Sequence, residues 1–253
     1  MKRLESRVAL VTGAASGIGR AAALRLASEG AAVLVTDINE EGGAETEKTI
    51  LEAGGRADFA KHDVTSEQAW DAVLKQVVQE FGGLDILVNN AGVGDLSTIA
   101  ETTFDAYRKT VSVTQDSVFL GMKHAEKLLI KSGRAKRASV INICSIFGSS
   151  GGFGTSVGYH AAKGAVRVMT KTLALHWAGH GVRVNSIHPG FIDTPALAAA
   201  KNTPAEKAML DLTPLGRLGS VEEVAGAIAF LASDDATFIT GSELYVDGGY
   251  MAR

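Results

Sequence analysis

The sequence predicts an α/β fold: one domain over residues 1–253, a doubly wound parallel sheet of about seven strands, and helices on both faces. Short runs that are continuously apolar or β-branched alternate with longer helix-periodic stretches, the pattern of strands covered on both faces. No Ser/Pro/Gly-rich linker or fixed repeat divides the 253 residues, and 46% hydrophobic residues suffice for one sizeable core. Parallel neighbours require right-handed crossovers, so ligands are expected at the carboxyl ends of the strands.

The first strand is expected over 8–11 and runs directly into Gly13, Gly17 and Gly19. Met1-Lys2-Arg3 ahead of it faintly resembles a secretory leader, but the apolar run is too short and a strand entering a glycine turn explains it better. Further strands are expected over 32–36, 58–60, 86–89, 140–144, 183–187 and 244–246. Helices fall over 18–29, 40–52, 67–81, a long 104–131, 159–178 and 221–231. Ser220, with Glu223 three residues later, reads as a capping box opening the last of these. A net charge of −3 gives no general attraction to nucleic acid or anionic membrane. One cysteine excludes a disulfide framework, and no HExxH or paired-ligand spacing suggests a metal. No run approaches the roughly 18 apolar residues of a membrane span, so a soluble, cytoplasmic protein is expected.

Chemistry begins at the first strand's end. Gly13-Ala14-Ala15-Ser16-Gly17-Ile18-Gly19 precedes a helix, and glycines there allow a tight turn and close approach to a pyrophosphate at the helix N-terminus. The GxxxGxG spacing departs from the general GxGxxG pattern, and a plain glycine turn is the competing reading. Asp37, 18 residues beyond Gly19 at the second strand's end, sits where an acid would bind ribose hydroxyls. A carboxylate there favours NAD(H) and repels a 2′-phosphate; Arg20 is the one residue that would favour the phosphate. Asp63, after the third strand, is placed to accept from an adenine amino group. Asn89 and Asn90, after the fourth, are candidates for the same edge or for ties between strands.

Together, Thr12-Gly13-x-x-x-Gly17-x-Gly19, Asn89-Asn90-Ala91-Gly92, Ser145, Tyr159-x-x-x-Lys163 and Pro189-Gly190 resemble the short-chain dehydrogenase/reductase family. The similarity runs from about residue 7 to 250 with the motifs in the family's order. It implies a single Rossmann-type domain, a nicotinamide cofactor and a homotetramer joined through the long helices. For the cofactor it implies Gly13, Ser16, Gly17, Ile18, Gly19, Asp37, Ile38, Asp63, Val64, Asn90, Ala91, Gly92, Tyr159, Lys163, Pro189, Gly190, Ile192 and Thr194. Ser145, rather than Ser149 or Ser150, aligns with the catalytic serine, and Thr114 stands where the family has an asparagine that extends a proton path. A threonine hydroxyl there is expected to bond a carbonyl or hold a comparable water. Residues 194–214 resemble a mobile substrate lid; a plain surface helix is the alternative.

Tyr159 and Lys163, four apart on a helix, share one face. A tyrosine near pKa 10 must lose roughly three units, about 4 kcal/mol, to serve as a base near neutrality. An ammonium about 4 Å away supplies energy of that order. Cys144 is expected to face the core. The substrate wall is read as Val93, Ile146, Phe147, Phe153, Phe191 and Leu197, beside Ser145 and Tyr159, with no Lys or Arg to clamp a carboxylate or phosphate. That composition favours a neutral, hydrophobic secondary alcohol or its ketone. Two other readings stay open: a ketoacyl-carrier-protein reductase docking through Lys131, Arg134, Lys136 and Arg137, and an NAD-binding regulator or scaffold with weak turnover, suggested only by Thr114.

Overall fold

The computed structural model describes residues 2–135 and 138–252. Seven parallel strands form one sheet in the order β3-β2-β1-β4-β5-β6-β7: β1 (Val8–Thr12), β2 (Ala32–Asp37), β3 (Arg56–Lys61), β4 (Ile86–Asn89), β5 (Ser139–Ile143), β6 (Arg183–Pro189) and β7 (Glu243–Val246). The chain winds outward through β3, returns to lay β4 beside β1, and proceeds to β7. The reversal between β1 and β4 opens a crevice at the strands' carboxyl ends.

Alternation along each strand divides the core. Ala9 and Val11 of β1 face α1 (Gly17–Ser28) and α8 (Val221–Ala232), while Val8 and Leu10 face the opposite cluster built around Trp70, Leu129, Val166 and Trp177. Those four belong to α3 (Glu67–Phe81), α5 (Ser117–Gly133) and α6 (Val157–Trp177). Helix α2 (Glu40–Glu52) joins β2 to β3 and buries Ile50 on the α1 side. The capping box of Ser220 and Glu223 is present at α8.

The stretch expected as one helix over 104–131 is interrupted. Helix α4 (Phe104–Val111) passes into a π-helical segment, Ser112–Asp116, before α5 begins. Thr114 lies inside that widened turn; such bulges recur at functional sites and carry no simple periodicity signal. Over 194–214 the chain forms a 3₁₀ segment, Pro195–Ala200, and α7 (Pro204–Leu212). Among the described residues no helix is long and apolar enough to cross a membrane.

Candidate active site

A cleft of about 830 Å³ runs along the strands' carboxyl ends. At one end lies the glycine cradle. Gly13 and Gly17 have φ of +66° and +53°, a region L side chains rarely adopt. A β-carbon on Gly19 would stand 2.1 Å from the Gly13 carbonyl oxygen, so only glycine fits. Asn90 fastens the loop, its side-chain amide donating to the carbonyls of Thr12 (2.9 Å) and Gly13 (3.1 Å). Ser16 stands at the N-cap of α1 without capping it, leaving the first-turn N–H groups of α1 to an anion. A dinucleotide's pyrophosphate therefore fits this cradle.

Asp37 is set before any ligand arrives. Its two oxygens accept the backbone N–H groups of Ala15 and Asn39, both at 2.9 Å. Arg20 is bonded to the Gly42 carbonyl at 3.2 Å and does not line the cleft. Asp63 also lines the cleft, with Oδ1 accepting the N–H and hydroxyl of Thr65; those bonds hold its carboxyl below the ordinary value. Ile18, Ile38, Val64, Ala91, Gly92, Pro189, Gly190, Ile192 and Thr194 line the cleft as well. Asn89 instead donates to Asn142 at 2.8 Å in the interior and ties β4 to β5.

At the other end Ser145 leaves β5, its hydroxyl accepting from the Phe147 N–H at 3.1 Å, and lines the same cleft as Tyr159 of α6. Ser149 and Ser150 point elsewhere, bonded to the Tyr245 hydroxyl (2.8 Å) and the Ile146 carbonyl (3.0 Å). Lys163 is buried one turn beyond Tyr159, with Nζ 5.5 Å from the phenol ring centre. Burial raises Tyr159 to about 12 against the opposing bond from Ser145, and burial lowers Lys163 to about 8. Nζ donates to the Ile143 carbonyl. The bare site therefore holds a protonated phenol.

Thr114 is fully buried and its hydroxyl is occupied on both sides. It accepts from the Val93 N–H and donates to the Val93 carbonyl, each at 2.9 Å. One oxygen thus holds both polar groups of one peptide residue, where a primary amide would use two atoms. Cys144 is buried, with its thiol donating to the Lys163 carbonyl.

Val93, Phe147, Phe191 and Leu197 line the cleft; Ile146 and Phe153 do not. Ile146 faces the core, and Phe153 stacks behind Phe191 at 5.7 Å between ring centres. Both follow from chain direction: the 3₁₀ turn Ile146–Gly148 rotates Ile146 inward, and positive φ at Gly152 and Gly154 swings the loop outward. Sequence reasoning missed Gly94, whose added β-carbon would meet the Tyr159 ring at 2.9 Å, and its neighbours Asp95 and Leu96. Only their nearness to Asn90-Ala91-Gly92 could have flagged them. Among the described lining residues Lys163 is the sole Lys or Arg. Lys131 and Arg134 sit where α5 hands over to β5, at the opposite edge of the sheet; Lys136 and Arg137 lie outside the described residues.

A family model described as enoyl-(acyl carrier protein) reductase matches residues 13–251. Cyclohexanol dehydrogenase of Acinetobacter sp. (strain SE19) is 39% identical over 252 residues, 99% of this chain and 97% of that one. The chain belongs to the short-chain dehydrogenase/reductase family. Cyclopentanol dehydrogenase of Comamonas sp. (strain NCIMB 9872) is 40% identical over 254 residues, covering both chains fully. Among solved structures, a putative 2-deoxy-D-gluconate 3-dehydrogenase from Agrobacterium tumefaciens with bound NADP superposes with a TM-score of 0.90 at 36% identity, covering 99% and 98% of the two chains.

Proposed function

We propose that this dehydrogenase interconverts apolar, cyclic secondary alcohols and their ketones with NAD(H). The observation that carries the reading is that Ser145, Tyr159 and the buried Lys163 share one cleft at the seam between the glycine cradle and an apolar wall. In oxidation the phenol oxygen of Tyr159, as phenolate, takes the alcohol proton. The Ser145 hydroxyl donates to the same substrate oxygen and fixes its direction. Lys163 stands behind Tyr159 as the buried cation from which proton traffic continues. When bound, the oxidised cofactor accepts the hydride from the carbinol carbon and brings positive charge that favours the phenolate.

Asp37 supports NAD(H): with both oxygens held by backbone N–H groups it cannot swing aside for a 2′-phosphate, and Arg20 is directed away. That reading sets this chain apart from the NADP-bound relative. Absence of a second cation among the described lining residues supports a neutral substrate, and the cyclohexanol and cyclopentanol relatives support a ring. The carrier-protein reading is weakened because Lys131 and Arg134 lie a full strand length from the cleft. Residues 194–214 serve as the lid, with Lys201 paired to Asp193 at 2.8 Å. Exposed Phe119 on α5 and Leu175 on α6 are faces for the homotetramer.

Titration with NADH and NADPH by nicotinamide fluorescence, followed by assay of cyclohexanol and cyclopentanol with NAD, tests the reading. Tighter NADH binding and ketone formation are expected; NADPH preference would overturn the Asp37 argument.

A further inference from the structure

Outside the cleft, one buried polar chain joins three elements, and neither of its central aromatic residues lines the catalytic cleft. His188 on β6 is fully buried and its Nδ1 lies 3.0 Å from the Ser145 carbonyl. A carbonyl only accepts, so Nδ1 carries the proton. Nε2 then accepts from the Ser186 hydroxyl at 2.9 Å, and the tautomer is fixed. The imidazole lies against the Tyr245 ring of β7, 4.6 Å between centres. The Tyr245 hydroxyl donates to Glu243 Oε2 at 2.9 Å and accepts from Ser149 at 2.8 Å. Glu243 is held in turn by Arg167 (2.8 Å) and Lys171 (2.5 Å) of α6. Tyr159, Lys163, Arg167 and Lys171 occupy successive i, i+4 positions, so one stripe of α6 carries both the reacting phenol and the anchor.

We propose that His188 and Tyr245 are positioning residues for Ser145: they hold both ends of the 145–149 turn and, through Glu243, tie it to the helix that carries Tyr159. Phe147 of the turn also stacks on His160 of α6 at 4.7 Å between ring centres, so the polar chain fixes the turn's two ends while Phe147 seats its middle. The chain thereby ties together, from behind, the turn and the helix whose Ser145 and Tyr159 face the same cleft. Both residues act at a distance, because each touches Ser145 or its turn rather than the substrate. The inference rests on the proposed function, so ketone formation by the parent enzyme is measured first.

Tyr245→Phe removes one oxygen and keeps the ring, so folding is preserved. His188→Leu removes the donor, and His188→Asn restores an N–H near the imidazole Nδ1 position. Tyr245→Phe and His188→Leu should each lower kcat about 10-fold, with KM and NADH affinity within about 2-fold, since small misplacements of a reacting group cost rate. His188→Asn should recover most of the loss. In a Ser145→Ala background His188→Leu should cost less than about 2-fold more, because its effect passes through the missing hydroxyl. Equal losses in both backgrounds, or no loss for Tyr245→Phe and His188→Leu in the parent, would overturn the proposal. Lack of ketone formation by a parent that still binds NADH would instead sink the proposed function.

Discussion

The two ends of the cleft are built by different means. At the cofactor end the backbone does the shaping: positive φ at Gly13 and Gly17, a Gly19 that admits no β-carbon, and main-chain N–H groups that fix Asp37. At the Tyr159 end side chains do it: two hydroxyls facing one cleft, a buried lysine, and rings leaning on one another around Phe147. Backbone shaping tolerates almost no substitution but needs few residues. Side-chain shaping is retunable, and each group depends on several neighbours. A family holding one cofactor while changing substrates would be expected to divide its site this way.

If the two ends are separable, a chemical deletion at one should leave the other standing. Tyr159→Phe should lower kcat about 10³-fold, within the range for loss of a general acid–base group, while NADH fluorescence titrations stay within about 2-fold. A comparable loss of NADH affinity would show the phenol to be part of the cradle. The converse is Gly19→Ala. Its methyl would collide with the Gly13 carbonyl, so the loop must open, and NADH affinity should fall about 100-fold. Retained affinity would mean the cradle is softer than its φ angles imply.

The same contrast explains what could be read from the sequence. Strand and helix order, the parallel sheet and the glycine cradle were legible because backbone demands act at fixed spacing: Gly13, Gly17 and Gly19 announce themselves. The Tyr159–Lys163 face was legible from helical period alone. Ile146 and Phe153 were misplaced because their direction depends on a 3₁₀ turn and on glycine dihedrals that no periodicity reports. The π segment at Ser112–Asp116 was invisible for the same reason. Gly94 against the Tyr159 ring is a contact between residues 65 positions apart, and nothing local signals it.

Asp37 tests how sharply backbone shaping sets cofactor choice. Asp37→Ala should weaken NADH about 10-fold and narrow the preference over NADPH, as loss of charge-assisted hydrogen bonds predicts. Unchanged selectivity would move the determinant elsewhere. Lys163 tests the seam through pH. Burial holds its ammonium at about 8, below the 10.5 of an exposed lysine. Between those values the unfolded chain binds more protons than the folded one. The burial penalty is therefore whole below about pH 8 and is relieved as pH rises toward 10.5. Relative to Lys163→Met, which lacks that group, the parent's melting temperature should gain about 4 °C between about pH 7.5 and 9.5. A constant difference across that range would contradict a buried, charged Lys163.

The smallest expected effect lies at Thr114, where the two modes of construction meet: a side-chain hydroxyl completing a backbone residue. Because the hydroxyl already satisfies both the N–H and the carbonyl of Val93, Thr114→Asn adds no bond that is missing. Turnover and its pH profile should stay within about 3-fold, and a marked rise would show that the threonine impairs proton traffic. Thr114→Val keeps the shape and strips the oxygen, leaving the part-buried N–H and carbonyl of Val93 without this partner, at about 1 kcal/mol. Gly92 lies between Thr114 and Lys163, with a hypothetical β-carbon 3.5 Å from the hydroxyl and 3.6 Å from Nζ. Slackening of this strand end should therefore reach the lysine, lowering turnover about 5-fold by a misplacement that remains small. An active Thr114→Val would assign the hydroxyl to stability alone, and the π segment around it would then need another reason to exist.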